Sequence, residues 1–172
     1  SGSGTTTLGK KLDKELNFYH FDTDDYFWYP TDPPYRQKRP IKERQELLLR
    51  DIKNQDKWVI SGSFCGWGDI FLSHIDLVIY LWVPTEIRIE ILKKREKENY
   101  GEAIEPGGNM HWNHKKFIKW ASNYENGGLK MRSKATHKKW LKNIDNPVLK
   151  IEGEVSLEKS MEKVIEKLKE IE

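Results

Sequence analysis

Apolar residues recur along the chain at two different spacings. Leu8, Leu12 and Leu16 are four residues apart, so they fall on one face of a helix that begins near Thr5 and ends near Leu16. Similar spacing predicts further helices over residues 41–54, after Pro84, around 117–124, over 132–143 and over 156–171. Each of these helices is expected to turn one apolar face toward a core.

Short apolar runs without helical spacing separate these helices. Residues 18–22, 57–62, 77–83 and 147–151 predict strands. The run over 77–83 is continuously apolar, which is typical of a parallel strand that helices cover on both faces. Strands that alternate with helices favour an α/β fold built on a parallel sheet.

The first seven residues, Ser-Gly-Ser-Gly-Thr-Thr-Thr, match the second half of the phosphate-binding loop G-x-x-x-x-G-K-[ST]. Gly4 stands at the second glycine, Thr5 at the lysine and Thr6 at the hydroxyl that binds magnesium. Small residues let successive backbone N–H groups surround a phosphate at the positive end of the following helix. A strand that leads into such a loop would precede Ser1, so five strands are expected in the sheet.

Ser-Gly-Ser-Gly is also the composition of a flexible linker. The order of the next segments favours the phosphate loop, because a helix, a strand and an acidic cluster follow, as in nucleotide-binding α/β units. The cluster contains Asp22, Asp24 and Asp25, which a capping turn would also explain. Ligands bind at the carboxyl ends of parallel strands, so Asp24 is expected to orient an acceptor and accept its proton.

Composition narrows the class of protein. The 172 residues suit one domain, in which charged residues make up 33% and hydrophobic residues 37%. A net charge of +3 suits anionic small molecules and does not favour a nucleic-acid partner. Cys65 is the single cysteine and cannot form an internal disulfide, which fits a reducing compartment. There is no signal peptide and no apolar run near the roughly 20 residues of a membrane span, so a cytoplasmic protein without a membrane segment is expected.

Four segments together carry a family resemblance: Gly-Ser-Gly-Thr-Thr-Thr, Phe-Asp-Thr-Asp-Asp-Tyr, Val-Ile-Ser-Gly-Ser and Leu-Val-Ile-Tyr-Leu-Trp-Val-Pro-Thr-Glu-Ile-Arg. In this order they resemble the P-loop nucleoside and nucleotide kinases, the adenylate and cytidylate kinase-like proteins. The resemblance implies an α/β P-loop NTPase fold, a three-layer sandwich with a parallel five-stranded sheet and a helical lid. It also implies transfer of the γ-phosphoryl group of ATP, with Mg²⁺, to a small-molecule substrate.

The resemblance assigns roles by position. The residues that would bind the triphosphate are Gly2, Ser3, Gly4, Thr5, Thr6 and Thr7, with Thr6 as the magnesium ligand. Asp22 and Asp24 match a D-x-D pair, in which one carboxylate organises metal-bound water and the other meets the acceptor hydroxyl. Two residues depart from the family: Thr5 replaces the usual lysine, and Ile91 stands where relatives often have arginine.

Phosphoryl transfer also needs positive charge that arrives when a lid closes. Arginine suits this role because it stays charged and can bind two oxygens at once. The lid is expected at about residues 96–131. The candidates are Arg95 and Arg132 as catalytic residues, with Arg88 and Lys94 in support. A solvated helix face is the alternative for each of them.

The acceptor-binding region is expected at about residues 23–40, a proline-interrupted loop rich in aromatic side chains. The expected substrate-binding residues are Asp22, Asp25, Arg36, Arg39, Gly62 and Trp67. The arginines would bind an acceptor phosphate or carboxylate, the glycine would permit close backbone approach, and the tryptophan would stack on a flat acceptor. The alternative is an exposed loop packed by its own aromatic residues.

The sequence therefore predicts an ATP-dependent phosphotransferase, adenylate kinase-like, that acts on a nucleoside or a nucleoside monophosphate. Two alternatives stay open. One is an ATP-binding module that lost phosphotransfer together with the lysine replaced by Thr5, and the other is a kinase for a shikimate- or gluconate-like small molecule. Residues 1–172 would form one domain, as a monomer or a homodimer.

Overall fold

The computed structural model describes residues 1–171, in which helices and strands alternate from the first helix to the last. The elements are α1 (Thr5–Leu16), β1 (Tyr19–Asp22), α2 (Thr23–Phe27), α3 (Ile41–Ile52), β2 (Trp58–Ser61), a 3-10 helix (Asp69–His74), β3 (Val78–Trp82), α4 (Thr85–Tyr100), a second 3-10 helix (Gly101–Ile104), α5 (His111–Ser122), α6 (Lys134–Lys142), β4 (Val148–Glu152) and α7 (Leu157–Ile171). The α/β alternation expected from the sequence is thus present, with four predicted strands found close to their predicted positions.

The strands pair in parallel, as expected, but in two separate sheets. β1 pairs with β2 so that Asp22 lies beside Ser61, and β3 pairs with β4 so that Trp82 lies beside Glu152. The single five-stranded sheet is therefore not formed by residues 1–171, where no strand hydrogen-bonds one pair to the other. The expected count included a strand leading into the phosphate loop, which would precede Ser1.

Two apolar clusters hold the elements together. The first packs α2 and α3 against β1 and the segment after β2; its buried members are Phe21, Tyr26, Leu48, Ile52, Trp67 and Phe71. The second packs α1, β4 and α7 together; its buried members are Leu8, Leu12, Ile151, Met161 and Val164. Val59 of β2 and Ile79 of β3 both contact the second cluster, so side chains from both strand pairs share one core.

The helix that follows the phosphate loop packs where its apolar stripe predicts. Leu8 and Leu12 are 4% and 2% exposed, and α1 contacts β1, β2 and α7. At its other end Asn17 adopts a left-handed conformation and donates its backbone N–H to the Asp13 carbonyl, which ends the helix. The stripe thus fixes α1, and with it the loop at its amino end, against the strands.

Two predicted boundaries are wrong. The segment 23–40 does not begin as a loop: Asp22 accepts a hydrogen bond from the Asp24 backbone N–H and thereby starts α2. Helix α6 begins at Lys134 and not at Arg132, because the buried Ser133 side chain caps it by accepting from the Thr136 N–H. Helix α4 extends to Tyr100, so the first residues of the expected lid belong to that helix.

No helix among the described residues is both long enough and apolar enough to cross a membrane.

Candidate functional site

The predicted phosphate loop wraps the amino end of α1. Gly2 and Gly4 have φ angles of 77° and 85°, a left-handed conformation that glycine adopts at little cost. A Cβ atom built on Gly4 would meet no atom within 4 Å, so the space above the loop is open. The amino end of α1 presents free N–H groups and the positive end of the helix dipole to this space. The first turn carries no acidic residue that would neutralise this positive end. This geometry fits a bound phosphate.

Oxygen atoms gather directly beside this helix end. The Thr6 hydroxyl donates to Asp22 Oδ2 at 2.9 Å, and the Ser61 hydroxyl lies 3.3 Å from the same carboxylate oxygen and 3.5 Å from Thr6 Oγ1. His20 Nε2 lies 2.9 Å from Ser61 Oγ. Hydroxyl and carboxylate oxygens are the ligands that Mg²⁺ prefers. Thr6 and Asp22 thus fit the metal of a metal–nucleotide complex.

Asp22 serves two purposes in this cluster. One carboxylate oxygen, Oδ1, caps α2, and the other, Oδ2, accepts from Thr6. The capping explanation is therefore confirmed for Asp22, and the functional role of the same carboxylate stays a prediction. Sequence reasoning missed Ser61, although its position at the carboxyl end of β2, next to Asp22 in the pairing register, places it at the same sheet edge.

Asp24 and Asp25 follow in α2 and are open to solvent at the mouth of the cavity. Desolvation by the surrounding protein atoms is the largest cause that raises the pKa of Asp24, and the charge of Asp22 raises it further. The positive charge of Arg132 acts in the opposite direction. Desolvation and Asp22 likewise raise the pKa of Asp25. A carboxylate with a raised pKa beside an arginine has the properties of a group that exchanges protons with a ligand.

Gly62 allows the end of β2 to approach the start of α2. Its φ angle is 119°, and a Cβ atom there would lie 1.7 Å from Thr23 Oγ1. Any other residue would push the two segments apart. Gly62 therefore brings the end of β2 next to Thr23, while its predicted contact with substrate stays a prediction.

Arg88 holds the phosphate loop from below. The side chain is 2% exposed and lies 4.8 Å from the Tyr124 ring centre. Its guanidinium donates to the backbone oxygens of Ser1 and Val83 and to the Thr85 hydroxyl, at 3.0 to 3.1 Å. Arg88 is thus bound within the framework of the site.

Arg132 and Arg95 are placed differently. Among residues 1–171 Arg132 makes no hydrogen bond or ion pair, and its guanidinium lies 5.7 Å from the Trp120 ring centre. Arg95 reaches only its neighbour Glu96, at 3.5 Å, and is half exposed. Arg132 and Arg95 thus keep guanidinium donors that the described residues do not fully use.

With this geometry in place, comparison with known proteins identifies the family. A family model described as an AAA domain matches residues 1–110, about two thirds of the chain. The chain belongs to the AAA-domain family. This family is P-loop NTPase-like and includes kinases. The match spans the phosphate loop, the acidic cluster and β1 to β3, and it ends before α5, α6 and Arg132.

One relative matches almost the whole chain. It is a protein of Bacillus subtilis (strain 168) that carries the name "Uncharacterized protein YqaC". The two are 43% identical over 168 residues, which cover 98% of this chain and 93% of the relative. Family membership supports a nucleotide-binding P-loop fold for the chain.

Within this AAA-domain chain, Arg39 is bound by its neighbours, in contrast to Arg132 and Arg95. Its guanidinium donates to the carbonyls of Tyr26 and Trp28 at 3.0 and 3.2 Å and to the Glu43 carboxylate at 3.0 Å, and it stacks 4.5 Å from the Tyr29 ring centre. These contacts use donors on all three of its nitrogens. Its predicted contact with substrate stays a prediction, whereas its contacts with the loop are part of the fold.

Arg36 connects the predicted acceptor loop to the predicted lid. With the Asn113 amide turned so that its oxygen faces Arg36, that oxygen accepts from both terminal nitrogens at 2.6 and 3.0 Å. Asn113 belongs to α5, and both residues line the same cavity as Asp24 and Arg132. The predicted acceptor loop therefore contacts α5, which lies within the predicted lid.

Trp67 is part of the core. It is 4% exposed, its ring stacks on Phe64 at 5.2 Å, and its indole N–H donates to the Ser63 carbonyl at 3.0 Å. This burial leaves no open face on which a flat acceptor could stack. Trp67 instead fixes the backbone of the segment after β2, beside Gly62.

The arrangement joins four chemical capabilities in one cavity. It has an anion-binding helix end, an oxygen cluster that suits a divalent metal, a carboxylate with a raised pKa and two uncommitted arginines. Groups of three or more His, Cys, Asp or Glu residues able to hold a metal by themselves are not found among residues 1–171. A metal at this place would therefore depend on phosphate oxygens for part of its coordination.

Proposed function

We propose that the protein is an ATP-dependent phosphotransferase that moves the γ-phosphoryl group of ATP to a nucleoside monophosphate or a nucleoside. The observation that carries this proposal is the hydrogen-bonded cluster of Thr6, Asp22 and Ser61 at the amino end of α1, with Asp24 and Arg132 on the same cavity. One half of the cavity suits a metal–triphosphate, and the other half offers acid–base and cationic groups to an acceptor.

The proposed nucleotide half needs no large change in the chain. When bound, ATP supplies the phosphoryl group, and its magnesium ion neutralises part of the negative charge of the phosphates. The backbone N–H groups from Gly2 to Thr7 would bind phosphate oxygens, while the Thr6 hydroxyl and the Asp22 carboxylate would hold the metal and its water. Thr5 can donate one hydroxyl hydrogen bond but brings no charge, so positive charge must come from elsewhere.

Arg132 and Arg95 are the proposed sources of that charge. Phosphoryl transfer depends on positioning and on cations near the phosphoryl oxygens. Both side chains have donors available and line the cavity that the phosphate loop also lines. They can therefore take over the role of the absent lysine and exclude water when the lid at about 96–131 closes over the loop at about 23–40.

Asp24 is the proposed proton acceptor. If the acceptor is a hydroxyl group, its proton must leave as the phosphorus–oxygen bond forms, and a carboxylate within reach can accept it. If the acceptor is a phosphate, Asp24 would orient it through its metal-bound or solvent partners. Asp25, Arg36 and Arg39 are further candidates for contacts with the acceptor.

A specific residue favours a second function. Thr5 removes the cation that most phosphate loops of this pattern carry, which would suit a module that binds ATP without transferring phosphate. Such a protein would use the same loop and the same oxygen cluster. It would need neither Asp24 nor a mobile lid.

A turnover assay separates the two functions. The purified protein is mixed with Mg²⁺ and ATP and a panel of nucleosides, nucleoside monophosphates and small hydroxy acids, while ADP formation is followed. Acceptor-dependent turnover that disappears in Asp24→Asn but persists in Asp25→Asn supports the kinase and identifies its acceptor. ATP binding by calorimetry without turnover on any compound would support the binding module instead.

A further inference from the structure

Four polar side chains form a hydrogen-bonded chain in which the two tyrosines are buried and the histidine and the serine are half-buried. The Tyr80 hydroxyl lies 3.0 Å from the Tyr124 hydroxyl, which lies 2.8 Å from His137 Nδ1. His137 Nε2 lies 3.1 Å from the Ser63 hydroxyl. The chain joins β3, the end of the lid segment, α6 and the segment after β2. Neither the sequence patterns nor the proposed catalytic groups account for it.

The number of protons that these four side chains carry limits the directions in which their hydrogen bonds can run. Burial and the charge of Arg132 lower the pKa of His137 to about 4, so at neutral pH the ring carries one N–H and one bare nitrogen. Each hydroxyl also has one proton. Three hydrogen bonds can then run in one direction or in the other, from Tyr80 toward Ser63 or from Ser63 toward Tyr80.

Tyr80 decides the direction. Its side chain is 8% exposed, and in the described chain its hydroxyl has Tyr124 as its hydrogen-bond partner and no second one. If the bonds ran from Ser63 toward Tyr80, the last hydroxyl proton would be buried without an acceptor, which costs about 1–3 kcal/mol. In the other direction Tyr80 donates to Tyr124, Tyr124 donates to Nδ1, and Nε2–H donates to Ser63 Oγ. Every buried proton is then used.

This direction leaves one proton free at the site. Ser63 accepts from His137, so its own O–H has to donate elsewhere. Ser63 lines the cavity next to Gly62, together with Asp24 and Arg132. Inside the protein its hydroxyl also reaches the Cys65 sulfur, where it lowers the pKa of the thiol against the larger opposite effect of burial. Sulfur is a weak acceptor, so an oxygen of a ligand would compete well for this proton.

We propose that Ser63 is a substrate-binding residue whose hydroxyl donates a hydrogen bond to an oxygen atom of the phosphate acceptor, and that His137 and Tyr124 are positioning residues that fix its direction. This inference rests on the proposed phosphotransfer. Ser63 would favour acceptors that present a carbonyl, phosphate or carboxylate oxygen at this point, because its uncommitted O–H proton can donate to such an oxygen. Arg132, which acts on both His137 and Asp24, lies on the same side of the cavity.

The tautomer of His137 tests the direction without any ligand. Nitrogen-15 NMR spectra of the labelled protein distinguish Nε2–H from Nδ1–H, and the Nε2–H form is expected. Tyr80→Phe should keep this form because Tyr124 can still donate to Nδ1, whereas Tyr124→Phe should give a mixture of tautomers. The Nδ1–H form in the unmodified protein would overturn the proposal.

Kinetics test the ligand contact. With an acceptor found by the turnover panel, Ser63→Ala should raise the acceptor KM by about tenfold, the effect of one lost hydrogen bond. The KM for ATP should stay unchanged, and Ser63→Thr, which keeps the hydroxyl, should restore the acceptor KM. Tyr124→Phe should raise the acceptor KM by a smaller factor and Tyr80→Phe should leave it unchanged. Equal effects on both KM values, or equal effects of the two tyrosine variants, would contradict the proposal.

Direct binding keeps this test separate from the proposed catalysis. If no compound turns over, the phosphotransferase assignment fails, and AMP and inorganic phosphate are titrated onto the unmodified protein and Ser63→Ala without ATP. Weaker binding of either probe to the alanine variant, by about tenfold, supports the ligand contact. Equal binding to both proteins, or no binding to the unmodified protein, overturns it.

Discussion

Two regions of the molecule are rich in arginine, and they use the same residue type in opposite ways. In the loop before α3 the Arg39 guanidinium is bound to two backbone carbonyls and a carboxylate, and Arg44 donates to the Arg39 carbonyl and stacks 3.7 Å from the Phe27 ring centre. On the lid side Arg132 and Arg95 keep their guanidinium donors available. The first region is a framework, and the second is a set of groups ready for a ligand.

The difference follows from what the backbone lacks in each region. Helix α2 is one turn long, so the carbonyls of Tyr26 and Trp28 have no helical partners, and the prolines of the loop that follows have no N–H to offer them. Arg39 supplies the missing donors. Arg132 directly precedes the capped start of α6, where Ser133 already binds the local backbone groups. An arginine becomes available for a ligand where other residues have satisfied the backbone around it.

The largest effect is expected from Arg132. Arg132→Ala should lower kcat by about 10³-fold, because an arginine that stabilises the transferring phosphoryl group contributes about 10³ to 10⁵ in rate. The unfolding temperature should stay close to that of the unmodified protein, since Arg132 makes no hydrogen bond or ion pair within residues 1–171 and the variant loses only the contact with the Trp120 ring, 5.7 Å away. Steady-state kinetics and thermal unfolding measure the two quantities.

Lys130→Ala provides the matched control for this variant. Lys130 is an exposed cation two residues away, and its removal should change kcat by less than about twofold, as expected of a solvated charge. Equal effects of both variants would mean that Arg132 acts only through the general field of the lid side.

The helices and strands of this molecule could be predicted from the sequence. Which of its arginines are bound within the fold and which keep donors available could not. The apolar stripe of Leu8 and Leu12 and the alternation of strands with helices determine which elements form, because burial of apolar side chains fixes them locally. The same holds for the phosphate loop and for Asp22, whose place at the end of β1 follows from the strand itself. These predictions depend on short stretches of chain.

The remaining features depend on contacts between distant segments. Arg36 and Arg39 look alike in the sequence, yet one meets Asn113 on α5 and the other meets carbonyls of its own loop. The sequence predicts that Trp67 stacks on a flat acceptor, but its ring is 4% exposed and packs against Phe64 and Phe71 in the core. The partnership of Ser63 with His137, 74 positions away, leaves no local pattern that could have revealed it.

Asp24→Asn should give the next largest effect and separates function from stability. Loss of a proton acceptor should lower kcat by about 10²-fold, at the lower end of the range for general acid–base catalysis. In the unmodified protein the pKa of Asp24 is raised above 3.8, the value of the unfolded chain. At a pH above this raised pKa the carboxylate is ionised in both states, and its ionisation in the folded state costs free energy of folding. Asparagine removes this cost, and the variant should unfold at a higher temperature at neutral pH.

The pH dependence provides a further measurement on the same variant. If Asp24 accepts a proton, kcat of the unmodified protein should rise with pH along an acid limb whose midpoint lies above 3.8. The rise in unfolding temperature caused by Asp24→Asn should fade below that midpoint. Asp25→Asn should keep most of the activity, and loss of activity in both variants would point to the combined charge of the cluster.

Arg39→Ala should act on stability before it acts on catalysis. The variant loses hydrogen bonds to two carbonyls and one carboxylate, and the Arg39 side chain that makes them is only 12% exposed. The free energy of unfolding should therefore fall by about 2–3 kcal/mol. Urea unfolding measures this change. Arg50→Ala, which removes an exposed ion pair with Asp51, should change it by less than about 0.5 kcal/mol. A stable Arg39→Ala protein with a raised acceptor KM would instead make Arg39 a substrate contact.

The smallest expected effect concerns the bridge between the two regions. Arg36 and Asn113 join the acceptor loop to α5 through two hydrogen bonds to a single amide oxygen. If this contact holds the lid over the acceptor, each single alanine variant should raise the acceptor KM a few-fold, and the double variant should do no more than either single one. The expected coupling is about 0.5–1.5 kcal/mol, the net contribution of one such interaction. Additive effects would mean that Arg36 reaches the acceptor directly and shares the role proposed for Arg132, which would remove the contrast between a framework region and a ligand-facing one.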